Sequence, residues 1–331
     1  MYVNGMNNTL IANRNLLFDI EKLPPSCSVF LGNIESIYLV AIIVSSLVIA
    51  ATAVLAVIHL YYIHMLVNNE NVQCDLYYLA LLFPIIGFCS LLAMFLPRSA
   101  RLMYAVCSTY IMLSLLKVIA LMRDIFGGRT VLACYLLNHQ EIIRLNPAPC
   151  CCICLPKVCS SERNIRRLEW MVLQSPIIRI LLEIINVIAF LEQVGIMVAI
   201  DIVETLSMLV ATYGSHIMME LGKEKLNRYR FSIIFHIINI THIVFTMQKL
   251  ILDFSGELGL FVDGALLRSS SKAMFWNDFA LTLEMFALSV SATKMLNPRK
   301  TDLFKNAIDA KTNNGIRGRN SNRFEPTGSP L

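Results

Sequence analysis

Charge is what this sequence has least of. Only 15% of its 331 residues are Asp, Glu, Lys or Arg and 56% are hydrophobic, against about 25% and about 45–50% in ordinary soluble domains. No charged side chain occurs from 36 to 69, and none from 76 to 97. Each run exceeds the roughly 20 apolar residues that cross a bilayer. A soluble globular protein is thereby set aside, and a multi-pass membrane protein is expected. Catalytic signatures are also missing. There is no GxxxxGK[ST] phosphate loop, so ATP-driven transport by this chain is not expected. There is no His-Glu-x-x-His, no Gly-x-Ser-x-Gly and no Asp-His-His-Cys, so no enzyme and no catalytic residue is expected. The first 35 residues lack the basic start and apolar run of a cleavable signal peptide, which leaves the first span as the insertion signal. Cys, Met and Phe, at 10, 16 and 17 residues, suit helices that pack in lipid, the net charge of +5 is small, and no nucleic-acid partner is expected; no cofactor is expected either.

Long apolar windows predict seven transmembrane helices at 36–66, 76–96, 102–122, 170–190, 196–219, 231–250 and 275–296. An all-α membrane protein follows, because lipid-exposed backbone must satisfy its own hydrogen bonds and the windows lack the alternation of barrel strands. Around this domain, 36–296, stand an N-terminal segment, 1–35, a long connection, 123–169, and a tail, 297–331, whose Asn, Gly, Arg and Ser content predicts disorder. Basic residues orient the bundle. With the N-terminus outside, the cytoplasmic segments hold 18 Lys and Arg and the outer segments 6, so the C-terminus is expected in the cytoplasm. The sequon at Asn7 then faces outward as a candidate glycosylation site, whereas Asn239-Ile240-Thr241 falls within a span and is read as chance. An odd span count and the absence of paired broken helices argue against inverted-repeat transporters.

The connection 123–169 opens at Gly127-Gly128 and continues as TVLACYLLNHQEIIR. Its Val131, Leu132, Tyr135, Ile142 and Ile143 share roughly one helical face, which suits either a helix lying along the inner leaflet or one packed on the bundle. Five of the ten cysteines follow, Cys150, Cys151, Cys152, Cys154 and Cys159. On the reducing side of the membrane they are not expected to form disulfides. Consecutive cysteines are poor metal spacing, and only Cys151-x-x-Cys154 has a zinc-like form. Reversible S-acylation fits a juxtamembrane run flanked by Pro and Arg163, Arg166 and Arg167 better, and no metal site is expected. At about 0.8 kcal/mol per buried CH₂, one sixteen-carbon chain contributes roughly 11–12 kcal/mol gross, enough to pin the loop to membrane lipids.

A charge buried in a span costs about 2.5–3.5 kcal/mol, so each calls for a reason. Lys117, Lys249 and Lys294 lie near span ends and can snorkel. Arg179, about nine residues or roughly 13 Å into its span, stands four residues before Glu183 and can pair with it on one face. It is either half of a neutral structural pair or an anion-attracting group on a substrate path. Glu284, mid-span, needs a partner from another helix, for which Arg179 or His242 are candidates. His236 and His242 are expected to be neutral and hydrogen-bonded to neighbouring helices. Asp201 and Glu204 form an acidic face near the outer end of span five, an odd feature in an anion path unless Lys249 pairs with them or a partner subunit shields them.

The run YAVCSTYIMLSLLKVIALMRDIFGG closing span three, the PCCCICLPKVC run after it, Pro176 in span four and LTLEMF in span seven together resemble the organic solute transporter alpha-subunit family. The resemblance extends from about Pro24 to Pro298. It implies a plasma-membrane carrier that moves small amphipathic organic anions, such as bile acids and steroid conjugates, by facilitated diffusion. It also implies a single-span beta subunit as partner and acylation of the polycysteine loop. The competing reading is a seven-helix regulator of signalling or membrane trafficking without transport. A G-protein-coupled receptor is not expected, because Met122-Arg123-Asp124 replaces Asp-Arg-Tyr and Asn297-Pro298 leads into Arg299-Lys300 with no following tyrosine motif.

Overall fold

A computed structural model describes residues 24–67, 69–145, 157–192, 194, 196–221, 223–264 and 266–295. Asn7, Cys150, Cys151, Cys152, Cys154 and the tail 297–331 lie outside the described residues. In chain order the elements are α1 (Cys27–Gly32), α2 (Ser36–Leu66), α3 (Glu70–Ala80), α4 (Leu82–Phe95), α5 (Ala100–Phe126), α6 (Arg129–Asn138), β1 (Ile142–Arg144), β2 (Lys157–Cys159), α7 (Glu162–Leu191), α8 (Met197–Glu220), α9 (Lys223–Arg228), α10 (Phe231–Glu257) and α11 (Ser269–Met295).

Helix α2 coincides with the predicted window, as expected of a run with no Gly, Pro or charge. Its Ser46 and Thr52 hydroxyls donate to Ile42 O and Val48 O at 2.8 and 2.9 Å, which spares them an unsatisfied donor among apolar neighbours. The second window is broken at Leu81. Pro84 has no N–H to give, and its ring crowds the carbonyl four residues back, on Ala80; α3 ends at that residue. Helix α5 stops where Gly127 adopts φ 87° and Gly128 donates to Arg123 O at 3.0 Å, a left-handed cap that favours glycine.

Five of these helical stretches are long and apolar enough to cross a membrane by length and composition: Ser36–Leu66, Glu70–Phe95, Ala100–Phe126, Glu162–Ala189 and Phe231–Gly256. Helices α8 and α11 have 24 and 27 residues but carry Asp201, Glu204, Asp278 and Glu284 along their length. The protein is thus an all-helical, multi-pass membrane protein with five such helices among the described residues.

Two expectations for the long connection are corrected. TVLACYLLNHQEIIR is not one helix: α6 ends at Asn138, and Ile142–Arg144 pairs antiparallel with Lys157–Cys159, Ile142 opposite Cys159. The face of α6 also differs from the one read. Leu132, Leu136 and Ile143 are buried, while Val131 and Ile142 are exposed, so this segment packs on the bundle. Arg129 at its start pairs with Glu169 of α7. That carboxylate holds the guanidinium above its ordinary pKa. Ser160 donates to Glu141 O, and Tyr213 of α8 donates to Leu145 O at 2.5 Å, fastening the ribbon. Arg163, Arg166 and Arg167 belong to the first turns of α7, not to a loop, and Trp170 beyond them is exposed.

In the bundle, α11 packs against α2, α4 and α10, whereas α7 packs chiefly against α8 and α5. An aromatic cluster of Phe30, Tyr38, Phe275 and Trp276 joins α1, α2 and α11, with Tyr38 and Phe275 edge to face at 4.9 Å. Helices α7 and α8 approach closely at Gly214, where a Cβ would stand 2.8 Å from Met171 Cε and 3.1 Å from Val172 Cγ2. Small residues permit such contacts in helix pairs that have no water-driven attraction.

Candidate functional site

Ionisable side chains converge where α5 and α11 begin and α7 and α10 end. Helical spacing supplies them in pairs on single faces: Tyr104 and Ser108 on α5, Arg179 and Glu183 on α7, Asp201 and Glu204 on α8, Lys249 and Asp253 on α10. Arg179, 1% exposed, is the centre. Its Nε donates to Ser108 Oγ at 2.5 Å and its Nη2 to Tyr104 Oη at 3.0 Å. Its Nε lies 3.5 Å from Glu183 Oε1 and its Nη1 3.2 Å from Glu204 Oε2. The planar guanidinium meets partners in several directions at once, which a lysine ammonium could not reproduce.

Lys249 makes a parallel set of contacts. Its ammonium pairs with Asp201, lies 3.4 Å from Asp253 Oδ2 and stands 4.6 Å above the Tyr104 ring. Tyr104 itself stacks on Phe245 at 4.6 Å. One tyrosine therefore receives a hydrogen bond from Arg179 and offers its π face to Lys249. A narrow cleft, about 380 Å³ counting its open mouth, lies beside the cluster and is lined by Tyr104, Glu183, Asn186, Lys249, Asn277 and Asp278 among others.

Arg179 and Glu183 do form the i,i+4 pair expected from their spacing. Lys249 does not snorkel: it is 7% exposed, and its pairing with Asp201 removes part of the acidic face read at span five. Lys117 pairs with Asp75 Oδ1 at 2.8 Å across α5 and α3, and Lys294 is exposed. Glu284 meets neither Arg179 nor His242. With the Gln248 amide turned so that its nitrogen faces the carboxylate, it donates to the two Glu284 oxygens at 3.0 and 2.7 Å. His242 is buried and neither ring nitrogen finds a hydrogen-bond partner among the described residues. His236 is exposed beside His216, with ring centroids 6.4 Å apart. Cys159 is exposed at the end of β2. Tyr104, Ser108, Asn186, Asp253, Asn277 and Asp278 were not singled out by sequence reasoning. Asp253 stands four residues after Lys249, the same spacing that exposed Arg179 and Glu183, and was legible on that ground. No group of three or more His, Cys, Asp or Glu side chains is placed to hold a metal ion among the described residues.

The described residues thus form a multi-pass helical membrane protein with a buried ion cluster and a cleft beside it. Residues 41–300 match the family described as Organic solute transporter Ostalpha, and this chain belongs to that family. It is 36% identical over 291 residues to Organic solute transporter alpha-like protein 1 of Caenorhabditis elegans, covering 86% of this chain and 76% of that protein. Organic solute transporter alpha-like protein 3 of the same organism is 32% identical over 289 residues, 85% of this chain and 83% of the relative. Organic solute transporter alpha-like protein 2 is 28% identical over 288 residues, 85% and 84% of the two chains. No solved structure matches this chain.

Proposed function

We propose that this chain is the large subunit of a plasma-membrane carrier that moves small amphipathic organic anions, of bile-acid or steroid-conjugate type, by facilitated diffusion. The observation that carries the reading is membership of the organic solute transporter family across residues 41–300. In this reading α8 and α11 also cross the membrane, which makes seven spans with the N-terminus outside and the C-terminus in the cytoplasm. The distribution of 18 basic residues on one side against 6 on the other supports that orientation. A single-span beta subunit completes the carrier, the polycysteine loop is acylated against the inner leaflet, and the sequon at Asn7, on the outer side in this topology, is glycosylated.

A second reading is a membrane regulator of signalling or trafficking. It is favoured by the fact that Arg179 and Lys249 are each already paired with carboxylates, which leaves these two side chains poorly suited to capture an anion. Uptake and efflux of a labelled steroid sulfate or bile acid, in cells expressing the chain with and without a single-span subunit, decides between the two. Flux that requires the chain is expected. No flux in any combination, with normal surface delivery, would overturn the carrier reading and leave the regulator.

A further inference from the structure

We propose that the cleft between α5, α7, α10 and α11 is a binding site for a small monovalent cation, either an alkali-metal ion or a primary ammonium group. The argument begins with charge. Arg179, Lys249 and Arg101 are the basic groups of the cluster and cleft, against the carboxylates of Glu183, Glu204, Asp201, Asp253 and Asp278. Even with Arg101 counted in full, negative charge exceeds positive, and an apolar bundle does not tolerate an uncompensated carboxylate. The excess carboxylates must either take up protons or be met by a cation.

The second observation is independent of charge. Asn186 Oδ1 and Asn277 Oδ1 are carbonyl oxygens on side chains 4% and 5% exposed, both line the cleft, and neither has a hydrogen-bond partner among the described residues. Asp278 lines the same cleft, is 7% exposed and forms no ion pair among the described residues. A proton taken up by Asp278 would cancel its charge but leave at least one amide oxygen unmet. A cation between the two asparagines and the aspartate satisfies all three. A divalent ion is disfavoured, since among the described residues no three-membered group of His, Cys, Asp and Glu is placed to hold a metal, and hard divalent ions prefer several carboxylates or retained waters. The narrowness of the cleft excludes a bulky quaternary or polyhydroxylated ammonium.

The inference holds whichever solute the chain carries, and its test needs no transport. The thermal midpoint of the full chain, purified in detergent, is measured at equal ionic strength in sodium, potassium, methylammonium and N-methyl-D-glucamine chlorides. At least one of the small cations is expected to raise the midpoint by about 2–4 °C over N-methyl-D-glucamine. A rise confined to sodium or potassium assigns an alkali ion, and one confined to methylammonium assigns an ammonium group. The rise is expected to vanish in Asp278→Asn and to shrink in Asn277→Ala, and the latter decides if the former does not fold. Equal midpoints in all four salts would overturn the site. So would a midpoint that follows pH but not cation identity, or a cation-dependent rise that neither substitution changes.

Discussion

Arg179 Nη1 lies 3.2 Å from Glu204 Oε2 across the seam between α7 and α8, and the two side chains are 1% and 2% exposed. The contact joins consecutive long helices through a pair that solvent does not screen. Removing Arg179 leaves Glu204 and Glu183 buried without their guanidinium, which costs about 3–5 kcal/mol, whereas removing Glu204 leaves Arg179 still paired with Glu183.

The first prediction concerns this pair. Arg179→Leu is expected to lower the thermal midpoint sharply and to reduce the fraction of chain reaching the cell surface, and Glu204→Leu to lower the midpoint less, because Glu183 still faces Arg179. The double replacement should recover part of the loss seen in Arg179→Leu, because Glu183 alone, not Glu183 and Glu204 together, is then left without the guanidinium. Arg179→Lys is expected to fall between wild type and Arg179→Leu, since it keeps the charge but not the fork that meets Ser108, Tyr104, Glu183 and Glu204. Single replacements as stable as wild type would remove the structural role assigned to the pair.

Lys249 and Lys294 make a contrast. Lys249→Met strips Asp201 and Asp253 of their ammonium and is expected to destabilise by about 3–5 kcal/mol. Lys294 is exposed near the end of α11, so Lys294→Met should stay within about 0.5 kcal/mol. Thermal unfolding of the purified variants, compared side by side, checks the ordering.

At the α7–α8 contact, Gly214→Val forces a side chain into space already held by Met171 and Val172. Overpacking of this kind costs about 1–3 kcal/mol. Gly32 has no atom within 4 Å of an added Cβ, and Gly32→Ala is expected to be close to neutral. Equal stability of the two variants would mean that the helices can part at Gly214 without loss.

Acyl-exchange labelling tests the cysteine run. The mass shift is expected to disappear when Cys150, Cys151, Cys152, Cys154 and Cys159 are all replaced by Ser. It should persist in Cys89→Ser, because Cys89 is buried between helices. A shift that survives the fivefold replacement would place the acyl chains elsewhere.

What the sequence reveals here depends on whether a feature is local. Helix α2 is legible to the residue because nothing within 36–66 interrupts an apolar helix, and the Arg179–Glu183 contact is legible because four residues of one helix fix it. The break at Leu81 follows from Pro84 but was masked by a window that averages over hydropathy. Of the partners on other helices, Lys249 for the acidic face at Asp201 was named from the sequence, and the rest were not legible. Glu204 meets Arg179, and Glu284 meets Gln248, only because of how α7, α8, α10 and α11 are laid side by side, and periodicity carries no information on that. The ribbon of β1 and β2 escaped for a related reason: its strands are three residues each, too short for alternation to register, and they are set by pairing across the cysteine run.

The placement of Tyr104 bears on motion. Its hydroxyl is tied to Arg179 on α7 and its ring to Lys249 on α10, so a single side chain of α5 couples two helices that carry opposite ends of the ion cluster. Packed helix interfaces shift between discrete arrangements and do not deform continuously, and Tyr104 ties two of them together. Any displacement of α7 from α5 and α10 would therefore have to break the Tyr104 hydroxyl contact while its ring stays with Lys249, so the two helices cannot part without rearranging that one side chain.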